Sequence, residues 1–177
     1  MDAQSSGDCS RPGCPGQLDR AHRSRIGRVT SVRSVRRAGR HESRLRARRL
    51  ALLALFEAEF RPDQARAALL RLADERGSEE AARVHADQIV AGVLVHRAEL
   101  DARIAELAPA IPVAELGRVE RTILRSALYE VLYSAATPVG EAINDAVSLA
   151  RIYAGDPARR LINGVLGSVT RSSGGGD

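Results

Sequence analysis

From Glu42 to within a few residues of the C-terminus, large apolar side chains recur every three to four positions, and no stretch alternates apolar with polar. That period gathers them on one side of a helix but scatters them over both faces of a strand, so the chain can bury them only as helices. Proline and glycine interrupt the pattern at loop distances. The expected fold is all-α, a compact bundle of about six or seven helices over residues 42–171, with residues 172–177 as a flexible tail.

The local signals divide the bundle. Ser43 is placed to cap a helix carrying Leu45, Leu52, Leu53, Phe56 and Phe60, which Pro62 ends. Asp63 is placed to cap a shorter helix running to Arg76, with Gly77 as the stop. Ser78 opens a long helical region whose Val84, Ile89, Val93, Leu94, Leu100, Ile104 and Leu107 share a side, with a bend near His96 and a break at Pro109 and Pro112. After a turn over Val113 to Gly117, Arg118 to Ser134 carries an apolar stripe wide enough for a central, largely buried helix. Pro138 precedes the next helix, and Asp156 followed by Pro157 opens the last one.

Charge is unevenly placed. Residues 1–49 hold 13 arginines against four acids, a balance of +9, whereas residues 50–177 balance to −4. Every one of the 27 basic residues is arginine, and that choice extends over the acidic body, so it reads as a compositional bias of the source and carries no functional weight. Residues 1–41 hold few large aliphatics and keep no period, so they read as a disordered basic extension or as a translation start placed too early. Their Arg- and Ser-rich, acid-poor composition also fits an organellar transit peptide. Cys9, Cys14, His22 and His41 have spacings that fit no zinc finger, so no metal is expected. Without a membrane-length apolar run, a secretory signal or a disulfide framework, a cytoplasmic location follows.

Catalytic constellations are missing from the sequence. It holds no phosphate-binding glycine loop after a strand, no His-Glu-x-x-His and no nucleophile elbow. Glu57 with Glu59, and Glu79 with Glu80, face apart on a helix and read as solvated acids, while His85 and His96 have no partner that the sequence can place. The expectation is a protein that is not an enzyme and needs no cofactor.

Arg44, Arg46, Arg48 and Arg49 stand apart from this background. In the first turns of a helix begun at Ser43 they oppose the macrodipole, which disfavours cations there by some tenths of a kcal/mol each. Arg44 and Arg48 share one face and Arg46 and Arg49 an adjacent one, which predicts a positive collar suited to phosphate contact, with a merely solvated helix start as the alternative. The five aromatic residues, Phe56, Phe60, Tyr129, Tyr133 and Tyr153, all fall at helical positions, which excludes a sheet-borne stacking platform. No second, recognition helix carries the strongest basic cluster, so single-stranded RNA fits better than duplex DNA.

The run Arg121-Thr-Ile-Leu-Arg-Ser-Ala-Leu-Tyr-Glu-Val-Leu-Tyr133, then Thr137-Pro138, Glu141-Ala-Ile-Asn-Asp-Ala-Val-Ser-Leu-Ala150 and Leu161-Ile-Asn-Gly-Val-Leu166, resembles the NusB family of transcription antitermination factors. The opening Arg44-Leu-Arg-Ala-Arg-Arg-Leu-Ala-Leu-Leu-Ala-Leu-Phe56 is similar to that family's Arg-rich first helix, and the resemblance covers about residues 40–171. It implies a non-enzymatic adaptor that binds the boxA element of ribosomal RNA transcripts together with NusE, a ribosomal small-subunit protein, in an antitermination complex on RNA polymerase. By position it implies that Arg44, Arg46 and Arg48 hold RNA phosphates, with Arg49 in the same cluster and Phe56 beside the RNA and partner surfaces. It further implies that Glu120 faces NusE, that Arg159 and Arg160 lie near a second RNA contact, and that Asn163 and Gly164 form a signature. Bottom-up, Gly164 reads as structural, with close helix approach offsetting its helix cost of up to about 1 kcal/mol.

Some features depart from the family pattern. Residues 1–40 have no counterpart, which favours Val32 or Val35 as the first codon; Leu161 stands where the family commonly has Phe; and Pro157 and Ala158 replace acidic and polar residues. Two other readings use the same domain. One is the RNA-recognition module related to that of ribosomal RNA cytosine methyltransferases, disfavoured because no nucleotide-fold sequence follows. The other is a protein-only helical scaffold whose arginines meet acidic partners.

Overall fold

The computed structural model describes residues 32–135 and 137–173, with side chains over 38–135 and 137–169. The chain divides into two units, 1–36 and 37–177, and the hydrophobic core of the described residues lies within the second. Cys9, Cys14 and His22, and the extension before residue 32, lie outside the described residues.

Six helices make up the described residues: α1 (Val32–Ala58), α2 (Ala65–Glu75), α3 (Glu80–Val95), α4 (Arg97–Leu107), α5 (Arg118–Tyr133) and α6 (Val139–Ser173). Short 3-10 turns at Pro62–Gln64 and Val113–Glu115 lead into α2 and α5. The expected all-α bundle is what forms.

Several local expectations need correction. The first helix runs from Val32, so Ser43 is not its cap, residues 32–41 are helical, and the arginines lie well inside the helix. The macrodipole argument therefore loses its force, because the dipole acts only in the terminal turns. Asp63 falls in a 3-10 turn, and neither α2 nor α3 receives a side-chain cap. Phe60 lies beyond the end of α1 and is 57% exposed, so it is not a core residue. Val84 and Leu94, expected on the shared apolar side of the long helical region, also stay exposed, as does Leu132 near the end of α5.

α5 is the centre. Thr122 through Leu128 and Glu130 are all buried, and the helix packs on α3, α4 and above all α6. α1 contributes Ala47, Leu50, Ala51, Leu52, Ala54, Leu55 and Ala58 to the same core, small and large residues in alternation that let helices approach and interlock. Gly92 of α3 lies so close to the Tyr129 ring of α5 that a Cβ there would fall 2.0 Å from it. The bend expected near His96 separates α3 from α4. α6 breaks at Gly155, whose φ of 83° and ψ of −173° only glycine adopts readily, into arms over 139–154 and 156–173. Pro157 falls in the first turn of the second arm, where its missing N–H goes unneeded.

Candidate nucleic-acid interface

The α1 arginines separate by face. Arg44 and Arg48, four residues apart, turn inward against α5 and α6. Arg48 is 4% exposed, and each nitrogen of its guanidinium has a carboxylate partner: Nε donates to Glu130 Oε2 at 2.8 Å, Nη2 to Glu130 Oε1 at 3.1 Å, and Nη1 to Asp145 Oδ2 at 2.5 Å and to Glu141 Oε1 at 3.1 Å. Arg44 grips Glu141 with two parallel bonds, Nε to Oε1 at 2.5 Å and Nη2 to Oε2 at 2.7 Å. The expected solvent-facing collar is thus corrected: Arg48 is a buried cross-brace. A partnerless guanidinium could not be buried, and three carboxylates from two other helices make its burial possible.

The acids in this cluster show the balance of forces. Burial would raise the Glu130 carboxyl, but hydrogen bonds from His85 and Arg48, together with their charges, hold it below its usual range. Glu141 is likewise held down against burial, by Arg44 and Arg48. Asp145 goes the other way: burial, with the Glu141 charge beside it, pushes it up despite Arg48 and His41. Two guanidinium groups cannot fully serve three carboxylates. His85, which the sequence left without a partner, places Nε2 3.0 Å from Glu130 Oε1, and Thr137 donates its hydroxyl to the same oxygen.

A second brace was equally hidden. Glu59, expected as a solvated acid, is held by Arg121 at 2.6 Å, Arg125 at 2.7 Å and Arg97 at 3.7 Å. Burial alone would raise its carboxyl, and the three arginines hold it low. It ties the end of α1 to α4 and α5, and its burial marks it as scaffold.

Arg46 and Arg49 face outward. Arg46 reaches Glu42 at 3.2 Å and Glu79 at 3.3 Å, pairs so exposed that each is worth at most about 1 kcal/mol. A phosphate can displace such partners at little cost. Arg49 donates Nε to the Tyr153 hydroxyl at 2.5 Å, and its guanidinium carbon lies 5.7 Å from that ring's centroid. Phe56 is half-buried and meets Phe60 edge-on at 5.6 Å, while the Arg118 guanidinium lies 4.4 Å from the Phe60 centroid. The spacing of Phe56 and Phe60 was visible in the sequence, but their joining by Arg118 was not, since that contact links a helix end to another helix start.

Arg159 and Arg160 follow the Gly155 break. Arg159 Nε donates to Asp156 Oδ1 at 3.0 Å, and that bond, with the charges of Arg159, Arg151 and Arg160, holds the Asp156 carboxyl below its usual range. Three arginines therefore gather about one acid. Glu120 occupies the first turn of α5 and folds back over Gly117, where a Cβ would fall 2.1 Å from its Oε2. Asn163 and Gly164 are exposed. Nothing lies within 4 Å of a Cβ at Gly164, so the expected close helix approach is not what retains it.

His41, Glu141 and Asp145 bring potential metal-ligating atoms within 4.8 Å of one another. Arg44 and Arg48 already hold both carboxylates, so a divalent cation there would meet two guanidinium groups. No helix of the described residues is long and apolar enough to cross a membrane.

Comparison with known proteins gives a consistent answer. The model of the NusB family matches residues 45–171. The transcription antitermination protein NusB of Dehalococcoides mccartyi (strain CBDB1) is 36% identical over 130 residues, 73% of this chain and 91% of that protein. The NusB of Herpetosiphon aurantiacus is 39% identical over 129 residues, 71% of this chain and 88% of its own. Among solved structures, antitermination factors NusB and NusE in complex with dsRNA align with a TM-score of 0.68 at 26% identity, covering 74% of this chain and 98% of that one. T. maritima NusB aligns with a TM-score of 0.67 at 27% identity, covering 72% and 90%.

Proposed function

Because the chain belongs to the NusB family, we propose that it is a transcription antitermination factor, a non-enzymatic adaptor binding single-stranded boxA RNA of ribosomal RNA transcripts together with NusE. It acts in the cytoplasm, in an antitermination complex on RNA polymerase. The observation that carries the RNA contact is the sorting of the α1 arginines: Arg46 and Arg49 are exposed and held by weak or neutral partners, whereas Arg44 and Arg48 are bound to carboxylates. Arg46 and Arg49 take phosphates directly. Arg44, at the edge of the brace, joins them where a phosphate replaces Glu141, and Arg48 supports the surface from beneath.

Phe56 with Phe60 offers aromatic surface at the far end of α1, and Glu120 faces NusE. Arg159 and Arg160 supply the second contact. Support for an RNA and NusE partner comes from the structural neighbour, which is a NusB–NusE complex with dsRNA.

The test is a titration of boxA-like single-stranded RNA, a scrambled strand and a duplex, with and without NusE, between 50 and 200 mM salt. If about four phosphates are neutralised, affinity for the single strand falls roughly 50-fold over that range. Arg46→Ala/Arg49→Ala should flatten the salt slope by about 1.4. Binding that ignores sequence, NusE and both arginines would favour a protein-only scaffold instead.

A further inference from the structure

Arg49 differs from its neighbours in the company it keeps. Among the described residues it forms no ion pair, and its partner is the neutral phenol of Tyr153, 104 positions later. The charge is therefore held in place without being cancelled. The bond uses Nε and so occupies the side-on edge that Arg44 and Arg48 use on their carboxylates, but it leaves the end-on Nη1 and Nη2 edge, which can also take two phosphate oxygens, free of that contact. Tyr153 sits on α6 two residues before Gly155, where the helix breaks and the Arg151, Arg159 and Arg160 charges converge on Asp156. One phenol thus joins the α1 cation to the basic turn of α6.

We infer that Tyr153 is a positioning residue of the RNA site, holding Arg49 with its Nη edge presented to a backbone phosphate and linking the α1 contact to the one after the α6 break. The inference rests on the RNA-binding function proposed for this chain and adds to it a residue whose sequence position marks it only as one of the helical aromatics. A long arginine on an exposed helix face samples many rotamers, and ordering it in advance removes an entropy cost from binding. A phenol suits this role better than a carboxylate, which would order the arginine equally well but neutralise it.

The variant Tyr153→Phe keeps the ring and removes the hydroxyl that accepts Arg49 Nε. In the full chain it should weaken binding of labelled boxA-like single-stranded RNA about 5-fold, the scale of one lost hydrogen bond, with the melting temperature unchanged. Arg49→Ala should weaken binding further and flatten the salt slope by about 0.7. Adding Tyr153→Phe to Arg49→Ala should then cost nothing more, since the phenol acts through the arginine. Wild-type affinity in Tyr153→Phe, beside a weakened Arg49→Ala, overturns the inference and leaves the RNA reading standing. So do losses that simply multiply in the double variant. A wild-type chain that binds no RNA removes the reading and this inference together.

Discussion

Arg48 of α1 and Glu130 of α5 meet as a two-pronged pair, Nε to Oε2 at 2.8 Å and Nη2 to Oε1 at 3.1 Å, between side chains that are 4% and 2% exposed. Removing one member strands the other in the core. Arg48→Met should therefore cost about 3–5 kcal/mol of unfolding free energy in urea denaturation, and Arg48→Met/Glu130→Leu should recover only the part due to Glu130, because buried Asp145 still lacks its guanidinium. A single-variant cost below about 1 kcal/mol would mean that water reaches the pair.

The same acids set the response to pH. Glu130, Glu141 and Glu59 are all held below the ordinary value of 4.5, so their contribution is complete above that value and is lost as pH falls through their folded-state pKa values. Asp145, held above its ordinary 3.8, works in the opposite sense, its protonation favouring the folded state. Stability should drop steadily below about pH 4.5, and Glu130→Gln, less stable at neutral pH, should show a shallower drop. Denaturation midpoints between pH 7 and pH 3 check this. Parallel curves would remove Glu130 from the account.

Arg46 and Arg48 lie two residues apart yet should separate stability from binding. Arg46→Ala is expected to change unfolding free energy by less than about 0.5 kcal/mol, as for an exposed residue, while lowering RNA affinity. Conservative Arg48→Lys should lower stability far more, because one ammonium cannot span Glu130, Glu141 and Asp145 at once, and should lower RNA affinity less than Arg46→Ala does, since Arg48 meets no phosphate itself. Thermal melts and RNA titrations on the two variants decide it.

Three glycines make contrasting predictions. Gly92→Ala drives a methyl into the Tyr129 ring and should cost about 1–3 kcal/mol, partly relieved by Tyr129→Leu. Gly155→Ala forces alanine to a φ of 83° and should cost about as much. Gly164→Ala meets open space on an exposed helical face and should stabilise by up to about 1 kcal/mol. If it destabilises instead, the local geometry at Gly164 differs from the one described.

The helices were readable because apolar period, proline and glycine act over a few residues, and α4, α5 and the break before Pro157 fell close to where those signals placed them. The start of α1 was not, since the arginines and serines before Glu42 carry little apolar period even where they are helical. Of the candidate site, the positions of the arginines were legible and their directions were not. A heptad-scale pattern says that Arg44 and Arg48 share a face, but the sequence around them does not reveal three carboxylates waiting on that face.

By itself, then, the sequence determined an all-helical chain with a concentrated set of cations on its first helix, because both are matters of local spacing and composition. Only the tertiary structure decided which cations are neutralised and which are left to meet a polyanion. Glu130, Asp145 and Glu141 lie more than 80 residues from Arg48, and so does Tyr153 from Arg49. A guanidinium buried against carboxylates is part of the core, and one resting on a phenol keeps its charge. That difference is made by contacts between helices, where the sequence carries no spacing to read.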